Sequence, residues 1–301
     1  MKINKILKVG YFADGPWSHK AFEKLIKDTS IEIKFIVPRN DTADLTLKNA
    51  ASKNNIPYII GHNINSNEFY QLVAKYNCDL FISMSYNQIF KRRILELPKL
   101  RTINCHAGKL PYYRGRNILN WVLINDEKEF GITVHYVDEG IDTGDIILQR
   151  TYPITDNDTY KTLLEKSYTE CAQILYDSVK LVQENKINLI KQNDIHPVGF
   201  YCGIRGNGDE IINWQHNSRD IFNFIRAICT PGPMAQCYLK GQQIKINKAR
   251  LIENAPIYKN RVGQVVGKTE LGYIVKTLDS TIEIQEVVSN SKIKIGDKFD
   301  L

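Results

Sequence analysis

No apolar run in these 301 residues approaches the ~20 needed to span a bilayer, so a membrane-spanning protein is not expected. No Cys-x-x-Cys pair occurs among the six cysteines, Cys78, Cys105, Cys171, Cys202, Cys229 and Cys237, which argues against a zinc ribbon or a redox motif. Residues 1–8 carry lysines but no continuous apolar stretch and no small-residue cleavage site. They read as the lead-in to a first strand, and the cytoplasm is the expected compartment. Thiols in that setting are expected to be reduced and mostly buried. There is no internal repeat and no low-complexity tract. Charge of one sign is not in marked excess: 40 basic against 33 acidic residues leave a net charge of +7. That balance suits an anionic small substrate and argues only weakly for nucleic acid.

A composition of 43% hydrophobic and 24% charged residues is that of an ordinary globular chain, and the length suggests about two domains. The first half alternates. Apolar runs at residues 6–12, 31–37, 57–60 and 80–84 read as strands, and helical spacing appears at 18–27, 45–52 and 69–76. This order predicts an α/β fold with a doubly wound, mostly parallel sheet, whose ligands bind in the loops after the strands. Residues 132–137 and 145–149 read as two further strands. A long helix over 158–184 carries Leu164, Tyr168, Ala172, Leu175, Val179 and Val182 on one stripe. Residues 186–207 have little periodicity and read as a linker and loop between an N-terminal domain, 1–185, and a C-terminal domain, 208–301. In the latter, Ser218 is the expected N-cap of a helix over 220–228. Short strands with turn signals follow, including Lys240-Gly241, and suggest a small OB-like β-barrel.

One segment stands out for chemistry: Asn104-Cys105-His106-Ala107-Gly108-Lys109-Leu110-Pro111-Tyr112-Tyr113-Arg114-Gly115, after a strand expected over 100–103. Residues two apart on a strand share a face, so Asn104 and His106 project together into the loop zone. Downstream lie Gly131-Ile132-Thr133-Val134-His135 and the turn Asp138-Glu139-Gly140-Ile141-Asp142-Thr143-Gly144-Asp145. The turn can bring a carboxylate against the histidine, whereas His135, inside an alternating strand, reads as structural.

These blocks resemble the 10-formyltetrahydrofolate-dependent formyltransferases in the pattern Asn-x-His-x-Gly-x-Leu-Pro-x-Tyr-Arg-Gly, Gly-x-Thr-x-His, and Asp-x-Gly-x-Asp-Thr-Gly-x-Ile. The run from Arg114 through Leu119-Asn120-Trp121-Val122-Leu123 to Asn125 is similar to the nucleotide-sugar N-formyltransferases. Ile211-Ile212-Asn213-Trp214, Arg226-Ala227 and Pro231-Gly232 resemble the C-terminal domain of two-domain members. The resemblance implies a catalytic trio of Asn104, His106 and Asp142. It implies a folate cosubstrate held around Ser83, Met84, Ser85, Tyr86, Asp138 and Gly140. It requires no metal. Asn104 would donate to the developing oxyanion, His106 would move the proton, and Asp142 would orient the imidazole.

For the acceptor, expected to be a nucleotide-linked amino sugar, the candidates are Trp17 and Trp121 as flat packing surfaces and Arg114 and Arg205 as diphosphate contacts. The product would serve glycan biosynthesis, with no nucleic acid or membrane partner, and a homodimer is an open expectation. The alternative is a methionyl-tRNA formyltransferase. Those enzymes usually carry a long basic insertion after the second strand, where this chain has only Pro38-Arg39-Asn40-Asp41-Thr42-Ala43-Asp44. A third reading is a nucleic-acid-binding protein on an inactive enzyme fold, and the intact trio speaks against it.

Overall fold

The computed structural model describes residues 6–42 and 44–300. The lead-in at residues 1–5 and Ala43 lie outside the described residues. The chain divides into two compact units. The first comprises residues up to Gly115, Phe130–Tyr152 and Glu165–Tyr201; the second comprises Arg116–Glu129, Pro153–Leu164 and Cys202 onward. Residues 116–129 and 153–164, which precede the linker in sequence, therefore group with the C-terminal residues.

In the first unit, β1 (Leu7–Ala13), α1 (Gly15–Lys27), β2 (Ile31–Val37), α2 (Leu45–Lys53), α3 (Asn67–Ala74), β3 (Leu80–Met84), α4 (Arg92–Leu95) and β4 (Thr102–His106) follow one another. The strands are almost wholly buried, as apolar runs covered on both faces must be. Parallel pairing of β2 with β1, β1 with β3 and β3 with β4 levels Ala13, Met84 and Cys105 at one edge. Residues 57–60 do not form a strand of their own. Only Tyr58 makes a bridge, to Ile36, because the run is too short to extend the ladder. Phe12 gathers Phe35, Phe81, Phe90 and Tyr86 edge-on at 5.0–5.7 Å on one face of the sheet. Such pairs add about 0.5–1.5 kcal/mol each beyond burial. Gly10 is required there, since a Cβ would meet the Phe35 ring at 2.5 Å.

After the two-residue strand β5 (Arg114–Gly115) and α5 (Ile118–Ile124), the chain returns as β6 (Glu129–Tyr136) and β7 (Ile146–Pro153). The sheet order is β2-β1-β3-β4-β6-β7, with β6 antiparallel to β4. The helix α6 (Tyr160–Gln183) buries the expected stripe, with Ala172, Leu175 and Val179 fully covered. The stretch read as a linker contains a short helix, α7 (Gln192–Ile195), and a strand, β8 (Tyr201–Cys202), paired with β5.

In the second unit, α8 (Ser218–Ile228) precedes β9 (Ala235–Leu239), β10 (Gln242–Leu251), β11 (Val265–Lys268), β12 (Gly272–Lys276) and β13 (Thr281–Ser289). These strands form an antiparallel sheet in the order β11-β12-β13-β10-β9. The cap of α8 is Asn217, not Ser218: the Asn217 side chain accepts from the Asp220 N–H. The Ser218 hydroxyl is instead drawn into the core beside Thr277 (2.8 Å) and Asp279 (3.1 Å). Lys240 and Gly241 both take positive φ, which matches the twist of the β9–β10 hairpin. All six cysteines are free and buried. Among the described residues no helix is long and apolar enough to cross a membrane.

Candidate active site

The candidate site lies within the first unit, at the carboxyl end of β4. Asn104 and His106 share a face of that strand, as period-two alternation demands. Antiparallel pairing places His135 of β6 directly opposite Asn104. The turn between β6 and β7 returns Asp142, at a φ of 53°, toward both histidines. One Asp142 oxygen is 3.6 Å from His106 Nδ1 and the other 3.5 Å from His135 Nε2.

The hydrogen bonds fix which atoms do what. His106 Nε2 is 2.7 Å from the Tyr113 carbonyl oxygen, which can only accept, so Nε2 carries a proton. That leaves Nδ1 as the nitrogen facing Asp142. The imidazole is thus oriented by a backbone carbonyl. Asp142, which the resemblance implies as the group that orients the ring and favours its protonated form, faces Nδ1 at 3.6 Å, beyond hydrogen-bond distance, so the orienting contact here is the Tyr113 carbonyl. By the same reasoning His135 donates Nδ1–H to the Tyr136 carbonyl at 2.8 Å, and in its neutral form accepts from Asn104 Nδ2 at 3.2 Å. His135, read from sequence as structural, therefore fixes the Asn104 amide. One Nδ2 hydrogen goes to the histidine and the other is free to be donated elsewhere. A period-two count from Thr133 could have flagged it, but only the strand register shows its partner.

His106 and His135 are buried, at 8% and 2% exposure. Burial alone would raise the Asp142 carboxyl. The charges that His106 and His135 carry when protonated, the hydrogen bond that His135 can give only in that form, and the Gly115 N–H at 2.9 Å outweigh it and hold the carboxyl well below the usual carboxylate range. Asp142 is thus a permanent anion at neutral pH.

The loop that supplies the Tyr113 carbonyl is closely fitted. Thr133 donates its hydroxyl to the Gly108 carbonyl at 2.7 Å, and Gln149 bonds both Leu110 O and Thr133 Oγ1. A Cβ at Gly108 would lie 2.3 Å from His106 Nε2 and 2.4 Å from Tyr113 O. Gly108→Ala is therefore expected to lower kcat about 10–100-fold by turning the ring, and to lower the thermal unfolding temperature as well, because the Tyr113 backbone must give way. Steady-state rates beside a melting curve check it; a wild-type kcat would show that the ring position does not matter.

Around the neighbouring loops, Ser83 and Met84 are buried at the end of β3, with Met84 Sδ 3.8 Å from the Tyr11 hydroxyl. Ser85 has a positive φ, and the Tyr86 ring packs on Phe12. Asp138 accepts from Gly140 N–H and the Thr143 hydroxyl, so its carboxylate braces its own turn. Asn87 donates to Asp41 at 3.0 Å, and its Oδ1 is buried without a hydrogen-bond partner.

Of the acceptor candidates, Trp17 lies edge-on to Tyr168 at 4.9 Å. Arg114 directs Nε (3.1 Å) and one terminal nitrogen (2.6 Å) at Gln192 Oε1. In the second unit, the Arg205 guanidinium lies 5.5 Å from the Trp121 ring and 5.6 Å from that of Phe224, and the Trp121 N–H donates to Gly203 O.

An α/β sheet with an amide, an imidazole and a buried carboxylate at one strand end is the framework of an acyl-transfer enzyme that needs a stabilised oxyanion and a mobile proton. Residues 8–179 match the formyl transferase family and residues 206–298 match the formyl transferase C-terminal domain, so the chain belongs to the formyltransferases, enzymes that transfer formyl groups. It is 33% identical over 250 residues to the methionyl-tRNA formyltransferase of Alkaliphilus oremlandii (strain OhILAs), covering 83% of this chain and 79% of that protein. The fold is similar to that of WlaRD, a sugar 3N-formyl transferase solved with dTDP and 5-N-formyl-THF. There the TM-score is 0.67 at 24% identity over 96% of this chain and 99% of that one. It is also similar to an N-formyltransferase from Helicobacter canadensis in complex with folinic acid and dTDP-3-aminofucose, with a TM-score of 0.67 at 22% identity over 94% and 100% of the two chains.

Proposed function

We propose that the protein carries a formyl group from 10-formyltetrahydrofolate to the amine of a nucleotide-linked amino sugar. The observation that carries the acceptor reading is the loop after β2. Arg39 is paired bidentately with Asp41, Thr42 donates to Asp14, and Asp44 accepts from Gly15 N–H and lies 2.9 Å from His19 Nε2. A short loop whose arginine is neutralised internally offers no cationic surface to a polyanion. The resemblance to WlaRD and the Helicobacter enzyme, each solved with a dTDP species, supports the same reading.

Asn104, with its amide aligned by His135, donates a hydrogen to the charge that develops on the formyl oxygen as the amine attacks. His106 Nδ1 takes the proton that the amine loses and returns one to the departing folate nitrogen. Asp142 stabilises the imidazolium between those two events. The buried acceptor Asn87 Oδ1 fits an N–H-bearing heterocycle such as a pterin, bracketed by residues 83–87 and 137–142. With the Asp138 carboxylate engaged in its own turn, the backbone of that turn supplies the remaining contacts.

Arg205 is proposed as a diphosphate contact. Arg205→Ala should raise KM for the sugar nucleotide about 10- to 100-fold and leave KM for the folate unchanged. The acceptor reading is tested by folate turnover against a panel of UDP-, GDP- and dTDP-linked amino sugars. Turnover with none of them would refute it. The second reading, a methionyl-tRNA formyltransferase, is favoured by the sequence identity to the Alkaliphilus enzyme. It predicts turnover with initiator methionyl-tRNA that falls steeply with salt.

A further inference from the structure

We infer that Gln192, on the segment between the two family-matched regions, is a positioning residue that holds the catalytic turn in its working conformation. The inference rests on the reading of Asp142 as the catalytic carboxylate.

Gln192 opens α7 and is 3% exposed. Every hydrogen-bonding function of its amide is directed at the site. Nε2 donates to the Asp142 carbonyl at 2.8 Å and to the Gly144 carbonyl at 2.8 Å. Oε1 accepts from Arg114 Nε and from one of its terminal nitrogens. Gly115, next to Arg114, donates its own N–H to the Asp142 carboxylate. One amide thus clamps the turn that carries Asp142 to the strand that supplies a hydrogen bond to its side chain.

The clamp is needed because Asp142 sits at φ 53°, a left-handed conformation that a residue with a Cβ disfavours unless its surroundings hold it. The rest of the segment braces the other half of the site. Ile190 exchanges two backbone hydrogen bonds with Ile146, at the start of β7, which anchors the chain just before Gln192. Phe200 packs edge-on against Tyr113, the residue whose carbonyl holds His106, with ring centroids 4.8 Å apart, and accepts the Arg114 N–H on its carbonyl. Gly199 lies so close that a Cβ there would meet Pro111 O at 2.4 Å. Residues 190–200 therefore strap both the Asp142 turn and the Tyr113 loop. They lie outside both matched regions, which cover 8–179 and 206–298. Arg114 is on this view a partner of Gln192, which orients its guanidinium.

The chemistry of the amide makes a specific test. Gln192→Met keeps the volume but removes both donors and the acceptor. Gln192→Glu keeps the acceptor and adds an ion pair with Arg114, but places a carboxylate oxygen against two carbonyl oxygens. Both variants, wild type and Asp142→Asn are compared by kcat, by KM for each substrate and by thermal unfolding. The expected result is a fall in kcat of about 10–100-fold in Gln192→Met, with both KM values and the folded fraction preserved, and a fall at least as large in Gln192→Glu. A Gln192→Glu protein as active as wild type would overturn the inference, because the introduced ion pair would then be enough. So would a loss of rate in Gln192→Met that merely tracks loss of folded protein, or an effect confined to KM. If Gln192→Glu does not fold, Gln192→Met decides alone. Inactive Asp142→Asn beside fully active Gln192 variants would sink only this inference. Active Asp142→Asn would remove the reading on which it rests.

Discussion

His106→Ala is expected to lower kcat by at least ~100-fold with KM for the folate nearly unchanged. The lost function is proton transfer, an effect of about 10²–10⁴ for a well-placed imidazole, while the groups proposed to hold the folate, at residues 83–87 and 137–142, are unaltered. The geometry sharpens the expectation. Nε2 is committed to the Tyr113 carbonyl, so in the proposed mechanism Nδ1 is the nitrogen left to exchange protons with the substrates. The wild-type pH–rate profile should rise to a plateau between about pH 7 and 9, where the acceptor amine is deprotonated often enough to attack. Near-normal turnover in the variant would remove His106 from the mechanism. A flat profile from about pH 5 to 9 would mean that a step other than proton transfer limits the rate.

Asp142→Asn should be comparably severe. It removes a fixed anion beside His106 and His135 while nearly preserving shape. Combined with His106→Ala it should cost less than the sum of the single losses, because a carboxylate that acts through an imidazole has nothing left to act on. Asn104→Ala should also be damaging, through the lost oxyanion donor. Strict additivity of the losses from Asp142→Asn and His106→Ala would show that the two side chains work independently. The same carboxyl has a signature in stability. Its folded pKa lies below the unfolded value, so its contribution is complete above about pH 4 and is lost as the pH falls toward the folded pKa. The acid limb of the melting temperature should therefore be shallower in Asp142→Asn than in wild type; an unchanged limb would show that the carboxyl is not held in its charged form by the fold.

How far the sequence revealed this site depended on the kind of contact involved. Asn104 and His106 were legible because strand alternation fixes which side chains share a face, and the Gly- and Asp-rich turn marked Asp142. The runs at β2 and β3 gave those strands to the residue, β2 by its alternation of buried Ile31, Ile33 and Phe35 with exposed Glu32 and half-buried Lys34, and β3 because every residue in it is buried. The role of His135 was hidden because it depends on the register of β6 against β4, and no residue in either strand announces a register. The carbonyl of Tyr113 left no trace at all, because every residue carries a carbonyl and only the path of the loop aims this one at His106. Gln192 was hidden for the same reason, in a stretch without periodicity. At α8, two adjacent residues can both cap a helix, and the choice of Asn217 was decided by the pull of Thr277 and Asp279 on Ser218.

The acceptor is the central claim, and a head-to-head competition tests it most directly. The purified protein is given limiting 10-formyltetrahydrofolate with equal concentrations of a dTDP-linked amino sugar and initiator methionyl-tRNA, at low and at physiological salt, and the formylated products are separated and counted. The sugar should take most of the formyl groups at both salt concentrations, since a single diphosphate releases few counterions on binding. Formylation mainly of the tRNA, falling steeply as salt is raised, would contradict the account.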